Sequence, residues 1–105
     1  GTDMIMGWIN EIEGQVIEEV INRAEGYNLE FIPMEYEKDQ DKKLSIPDRF
    51  KDVYVNYMLS KIDYHNEETE RYNNDVVMYN SAYDAYAAWF RRCNRAKKAP
   101  LFSKF

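Results

Sequence analysis

Between Tyr72 and Cys93 an aromatic or apolar residue returns at steps of four and three: Tyr72, Val76, Tyr79, Tyr83, Tyr86, Phe90 and Cys93. That spacing keeps one face of an α-helix apolar and does not fit the two-residue alternation of a strand. No Gly or Pro falls within residues 67–97, so the pattern predicts one long helix there, about 45 Å at 1.5 Å per residue. Pro100 prevents it from running on. Ala82, Ala85, Ala87 and Ala88 let a neighbour approach closely. A long helix with one apolar face needs other elements to cover it, and the rest of the chain is read for those.

A first helix is predicted over residues 3–24. Ile5, Trp8, Ile9, Ile12, Val16, Val20 and Ala24 form one stripe, widened by Ile17 and Ile21. Glu11, Glu13, Glu18, Glu19 and Asn22 are expected to face away. Thr2 is placed to cap this helix, Asp3 favours its positive end, and Gly26 is a plausible stop. Gly7 and Gly14 weaken it locally and leave room for a close neighbour. Residues 27–44 carry no helical period; "LEFIPMEY" reads as an extended or edge segment around Pro33, and "EKDQDKK" as a solvated charged loop. A second helix is predicted from Ser45, with Ser45 and Asp48 in capping-box positions and Pro47 in the first turn. Its apolar face is Phe50, Val53, Tyr54, Tyr57, Met58 and Ile62. "DYHNEET" is the turn to the third helix, and Asn66 is placed to cap that helix. The fold class expected is therefore all-α: three helices packed as a small bundle. The C-terminal helix is the long one, and an irregular or short extended segment lies between helices 1 and 2.

Length and charge narrow the function classes. One domain fits 105 residues, expected over residues 1–99 with residues 100–105 as a tail. A single cysteine, Cys93, excludes an internal disulfide, fits a reducing compartment and is expected to be a buried thiol. No apolar run approaches a membrane span, and residues 1–20 lack the pattern of a signal peptide. Six of the fourteen basic residues (Arg91, Arg92, Arg95, Lys97, Lys98 and Lys104) lie in residues 91–105, which hold none of the nineteen acids. An acidic body argues against general nucleic-acid binding, whereas a basic end can meet phosphate or an acidic protein surface.

No catalytic constellation is legible, so the chain is not expected to be an enzyme. His65 is the only histidine, and "HNEE" lacks the second histidine of a zinc helix. Asp39 and Asp41 lack the later residues of a calcium loop. Cys93 has no base partner, and no glycine-rich phosphate cradle occurs. No catalytic, metal or cofactor-binding residue is assigned, and no small-molecule substrate is expected. Tyrosine carries a large ring and a polar tip, so Tyr64, Tyr72, Tyr79 and Tyr86 are candidates for a subunit interface.

Two stretches together carry a resemblance. The first is "TDMIMGWINEIEGQVIEEV", with W-I-N-E near its start. The second runs from "FIPMEYEKDQDKKLSIPDRF" through "KDVYVNYMLSKIDYHNEETERYNNDVVMYNSAYDAYAAWFRR". It combines an I-P followed by an acid and an aromatic, a helix with Y…L.K, an acidic turn, and a long helix of regularly spaced aromatics. This arrangement resembles the small head–tail connector, or adaptor, proteins of tailed bacteriophages and prophages, over roughly residues 2–92.

The resemblance implies a largely helical subunit of a ring beneath the portal, extending the DNA channel and carrying the next tail component. Its place would be the head–tail junction of a virion, after synthesis in the bacterial cytoplasm. Its partners would be copies of itself and portal or tail proteins, with DNA passing nearby without sequence-specific binding. Trp8, Asn10 and Glu11 would then serve first-helix packing and contact with neighbours. Pro47 and Phe50 would set the start of the central helix, and Tyr54, Tyr57 and Leu59 would pack it on the third. Arg91, Arg92, Arg95, Lys97, Lys98 and Lys104 would form an arm that reaches the portal. The alternative is a cytoplasmic helical interaction or regulatory module of bacterial or mobile-element origin, self-associating through its third helix.

Overall fold

The computed structural model describes residues 2–94. The order of elements is α1 (Thr2–Glu19), a 3-10 turn (Ile21–Arg23), a single helical turn α2 (Tyr36–Asp39), a second 3-10 turn (Asp48–Phe50), α3 (Asp52–His65) and α4 (Thr69–Cys93). The described residues contain no strand, and the chain is a small all-α bundle. α3 and α4 form an antiparallel hairpin, as Phe50 meets Tyr86, Tyr57 meets Tyr79 and Tyr64 meets Tyr72. α1 packs against one side of that hairpin. Its Ile12 and Val16 are fully buried in the same core as Val53, Tyr54, Tyr86, Ala87 and Phe90.

The element ends differ from the sequence reading for physical reasons. α1 ends at Glu19, before Ala24, and tightens into the 3-10 turn, which places Val20, Ile21 and Ala24 all in the core. Asn22 fixes the departing chain: its side chain accepts from the Leu29 N–H and donates to the Leu29 carbonyl, both at 2.8 Å. Gly26 then takes φ +87°, a conformation open to glycine at little cost. Thr2 is the first helical residue of α1, not its cap. The close approach expected at the glycines occurs at Gly14, where the Phe31 ring lies 3.4 Å from the position of a Cβ. Gly7 faces open space.

The start of the second predicted helix is also corrected. Ser45 makes no cap; Pro47 is extended, a 3-10 turn follows, and α3 proper begins at Asp52. The Ser45 N–H instead donates to Glu13 Oε1 at 2.8 Å, so the element is anchored by α1 and not by itself. Asn66 caps the end of α3, its N–H donating to the Ile62 carbonyl, and α4 starts at Thr69. Glu67 takes up the reversal with φ 59°. Residues 29–33 have no regular secondary structure, but Tyr36–Asp39 wind into a turn held by an Asp39 Oδ2 that accepts from the Glu35 N–H at 2.8 Å.

Candidate assembly surfaces

Tyrosine hydroxyls tie α1 to the hairpin. Glu11, Gln15 and Glu19 stand at steps of four, on one stripe of α1. Each accepts a tyrosine hydroxyl from the hairpin: Glu11 from Tyr57, Gln15 Oε1 from Tyr79 at 3.4 Å, and Glu19 Oε1 from Tyr83 at 3.1 Å. Lys61 Nζ adds an ion pair to Glu11 at 3.4 Å, and its ammonium also lies over the Tyr57 ring. Below this ladder Glu13, expected to face solvent, is 4% exposed. Its Oε2 accepts from the Tyr54 hydroxyl at 2.8 Å, and that hydroxyl in turn accepts from the Ile46 N–H at 3.1 Å. Burial is the chief reason the Tyr54, Tyr57 and Tyr83 hydroxyls are held well above the ordinary tyrosine range. The neighbouring glutamates add to it.

These bonds decide which of the expected interface residues are free. Asn10 is committed within the chain: it accepts from the Met34 N–H at 2.8 Å and donates to the Met34 carbonyl at 2.9 Å. Glu11 and Tyr79 belong to the ladder, and Trp8 is half-buried. Tyr86 is 1% exposed, ringed by Phe50, Trp89 and Phe90, so it is a core residue and not an interface residue. Burial pushes its hydroxyl up to about 12. Tyr64 is open, at 70% exposure, and stacks obliquely on the half-buried Tyr72 with ring centroids 5.3 Å apart. The pair lines an open cleft of about 770 Å³ at the hairpin turn, with His65, Asp63, Glu67 and Glu68. Arg91 and Arg92 are exposed on the last turn of α4, where cations suit the helix end. Arg95, Lys97, Lys98 and Lys104 lie outside the described residues. Cys93, expected to be buried, is exposed because the stripe turns off the core after Phe90.

Several surface groups escaped the sequence reading. Val55, Leu59 and Ile62 are exposed together on α3, at steps of four and three. Ile62, expected on the inner face, and Leu59, expected to pack on the third helix, both face outward, because the inner face is taken by Val53, Tyr54, Tyr57 and Ser60. A second apolar surface joins the start of α1 to residues 34–44, a groove of about 420 Å³ lined by Ile5, Met6, Ile9, Met34, Tyr36 and Leu44. Its polar margin includes Asp39, Gln40 and Lys42. Asp3, Glu35, Glu37 and Lys38 line the cleft that adjoins it.

One polar group inside the hairpin is poorly satisfied. Asp75 is 8% exposed, and its Oδ2 has no hydrogen-bond donor. Its neighbour is the Asp63 carboxyl on α3. The Asp63 carboxyl, to which a protonated Asp75 can hydrogen-bond, then burial and the Asp63 charge, hold Asp75 above the usual carboxylate range, while Arg71 pulls the other way. A raised folded-state value means stability that is present at low pH and lost as pH rises through that value. Asp75→Asn supplies a permanent N–H donor to Asp63 and is expected to stabilise the chain at neutral pH by about 1 kcal/mol. The gain should shrink as pH falls and the wild-type carboxyl takes up its own proton. Urea unfolding across a pH series checks this.

No group of three or more metal-ligating side chains is assembled among the described residues, and none of their helices is long and apolar enough to cross a membrane. Comparison with family models, curated proteins and solved structures finds no match for this chain.

Proposed function

We propose that the chain is a structural assembly subunit and not an enzyme. On the resemblance carried by the W-I-N-E helix and the aromatic third helix, its assembly is a head–tail connector ring that bridges portal and tail and extends the DNA channel. The observation that supports the assembly reading best is the outer face of α3. Val55, Leu59 and Ile62 form one continuous apolar stripe on a helix whose other face is already filled by α1 and α4. Single exposed apolar residues are ordinary, but a stripe at helical spacing is the shape of a surface that another helix covers. The alternative of self-association through the third helix has less support, because Tyr86 and Phe90 of its heptad face are used inside the chain.

The charge distribution suits a channel subunit. All nineteen acids precede residue 91, and carboxylates repel the phosphates of a passing duplex, so DNA would slide without adhering. Leu59→Glu combined with Ile62→Glu tests the assembly reading. Both positions are exposed, so helicity by circular dichroism should match wild type while the particle mass by light scattering falls below that of wild type. A variant that assembles as wild type does would overturn the role given to α3.

A further inference from the structure

The groove at the start of α1 has an occupant in the chain's own sequence. It is apolar along Ile5, Met6, Ile9, Met34 and Leu44, and it is preformed, because Asn10 clamps the Met34 backbone from both sides. Its margin is acidic on balance: Asp3, Glu35, Glu37 and Asp39 stand against Lys38 and Lys42, and Lys38 is already paired with Glu35 at 3.0 Å. Residues 95–105, "RAKKAPLFSKF", match it in both respects, with Leu101, Phe102 and Phe105 among Arg95, Lys97, Lys98 and Lys104 and no acid. We propose that this groove receives the C-terminal segment of a second copy. Leu101 and Phe102 would lie on the apolar floor, with Lys97, Lys98 and Lys104 over the acidic margin.

The geometry favours a second copy over the chain's own end. Tyr79 and Tyr83 of α4 meet Gln15 and Glu19 of α1, so the two helices run in the same direction. Ile9 and Ile5 lie ten and fourteen residues before Glu19, about 15–21 Å back along α1. Asn94 lies eleven residues beyond Tyr83, about 16 Å in the other direction, beside Tyr27, whose hydroxyl donates to Asn94 Oδ1 at 3.3 Å. The separation is therefore roughly 30 Å or more. Phe102 is eight residues past Asn94 and can reach at most about 28 Å fully extended. Leu101 and Phe102 of the same chain would need a fully extended backbone to approach the floor of the groove, which a neighbour's segment does not. A segment of one copy in a groove of the next is a head-to-tail contact, the kind that generates rings or filaments. It assigns the basic end to the neighbouring subunit in place of the portal contact that the resemblance implies. It rests on the assembly reading and deepens it.

The test places a benzophenone amino acid at position 102 of the full chain and mixes equal amounts of unlabelled and heavy-nitrogen chains before irradiation. Mass spectrometry should find mixed-isotope cross-links from position 102 to Ile5, Met6, Tyr36 or Leu44. Ile5→Asp, at an exposed position, should cut their yield about ten-fold or more with helicity unchanged, as expected when a charge is placed on an apolar contact. Cross-links within one isotope only would assign the groove to the chain's own end and overturn the proposal. Oligomers with no cross-links, or with cross-links elsewhere, would overturn it while leaving the assembly reading standing. A monomer at every concentration would remove both.

Discussion

Replacing Glu13 by Ala is expected to destabilise the chain by about 3 kcal/mol, far more than any other substitution among the α1 acids. Glu13 is 4% exposed and works as a two-pronged acceptor: Oε1 takes the Ser45 N–H and Oε2 takes the Tyr54 hydroxyl, each at 2.8 Å. Removing it strands both donors and leaves a void at the point where α1, the loop before α3 and α3 itself meet. A buried donor without an acceptor costs about 1–3 kcal/mol, and two are stranded here. Glu13→Gln keeps the volume and one acceptor oxygen, so its cost should be smaller, about 1 kcal/mol. Glu11→Ala is the comparison: it stands on the exposed stripe with Tyr57 and Lys61, where an ion pair contributes about 0–1 kcal/mol. Urea unfolding of the three variants checks the order. A Glu13→Ala loss no larger than that of Glu11→Ala would contradict the anchoring role.

Tyr86→Ala should cost about 3–5 kcal/mol, the range for losing a fully buried aromatic ring. Tyr86 is 1% exposed, and Phe50, Trp89 and Phe90 pack around it with ring centroids 5.7, 6.1 and 6.1 Å away. Arg49 closes the outside of the cluster, its guanidinium 4.8 Å from the Trp89 ring centroid and 5.0 Å from that of Phe50. Tyr86→Phe keeps the ring and should cost under about 1.5 kcal/mol. The experiment also separates two roles for this residue. A core Tyr86 lowers the thermal midpoint of the folded chain when truncated. An interface Tyr86 would leave that midpoint unchanged and weaken association instead.

The helical class, the hairpin of α3 and α4, and most of the core were readable because apolar periodicity reports burial directly. The stripe Ile12, Val16, Val20 and the stripe Tyr79, Tyr83, Tyr86, Phe90 both lie on the packed faces. What periodicity could not show was where polar groups turn inward. Glu13 sits among acids of identical type, and only the fold brings Ser45 and Tyr54 to it, 32 and 41 residues away. The same limit hid the Glu11, Gln15 and Glu19 ladder. The step of four along α1 was visible, but its three tyrosine partners come from two other helices. Capping signals misled at Ser45 and Asn66 because each group found another use, as donor to Glu13 and as the end of α3. The outer stripe Val55, Leu59, Ile62 was legible in spacing, yet the richer aromatic face of the same helix drew Ile62 to the wrong side.

Sedimentation velocity of the wild-type chain over a broad concentration range tests the assembly claim most directly. A subunit with an unpartnered α3 stripe and an acidic-rimmed groove for its neighbour's basic end should show a mass that climbs in multiples of 12.6 kDa as concentration rises. The climb should be weaker in high salt, because part of the contact is ionic. A single species of 12.6 kDa at every concentration and every salt would contradict the account.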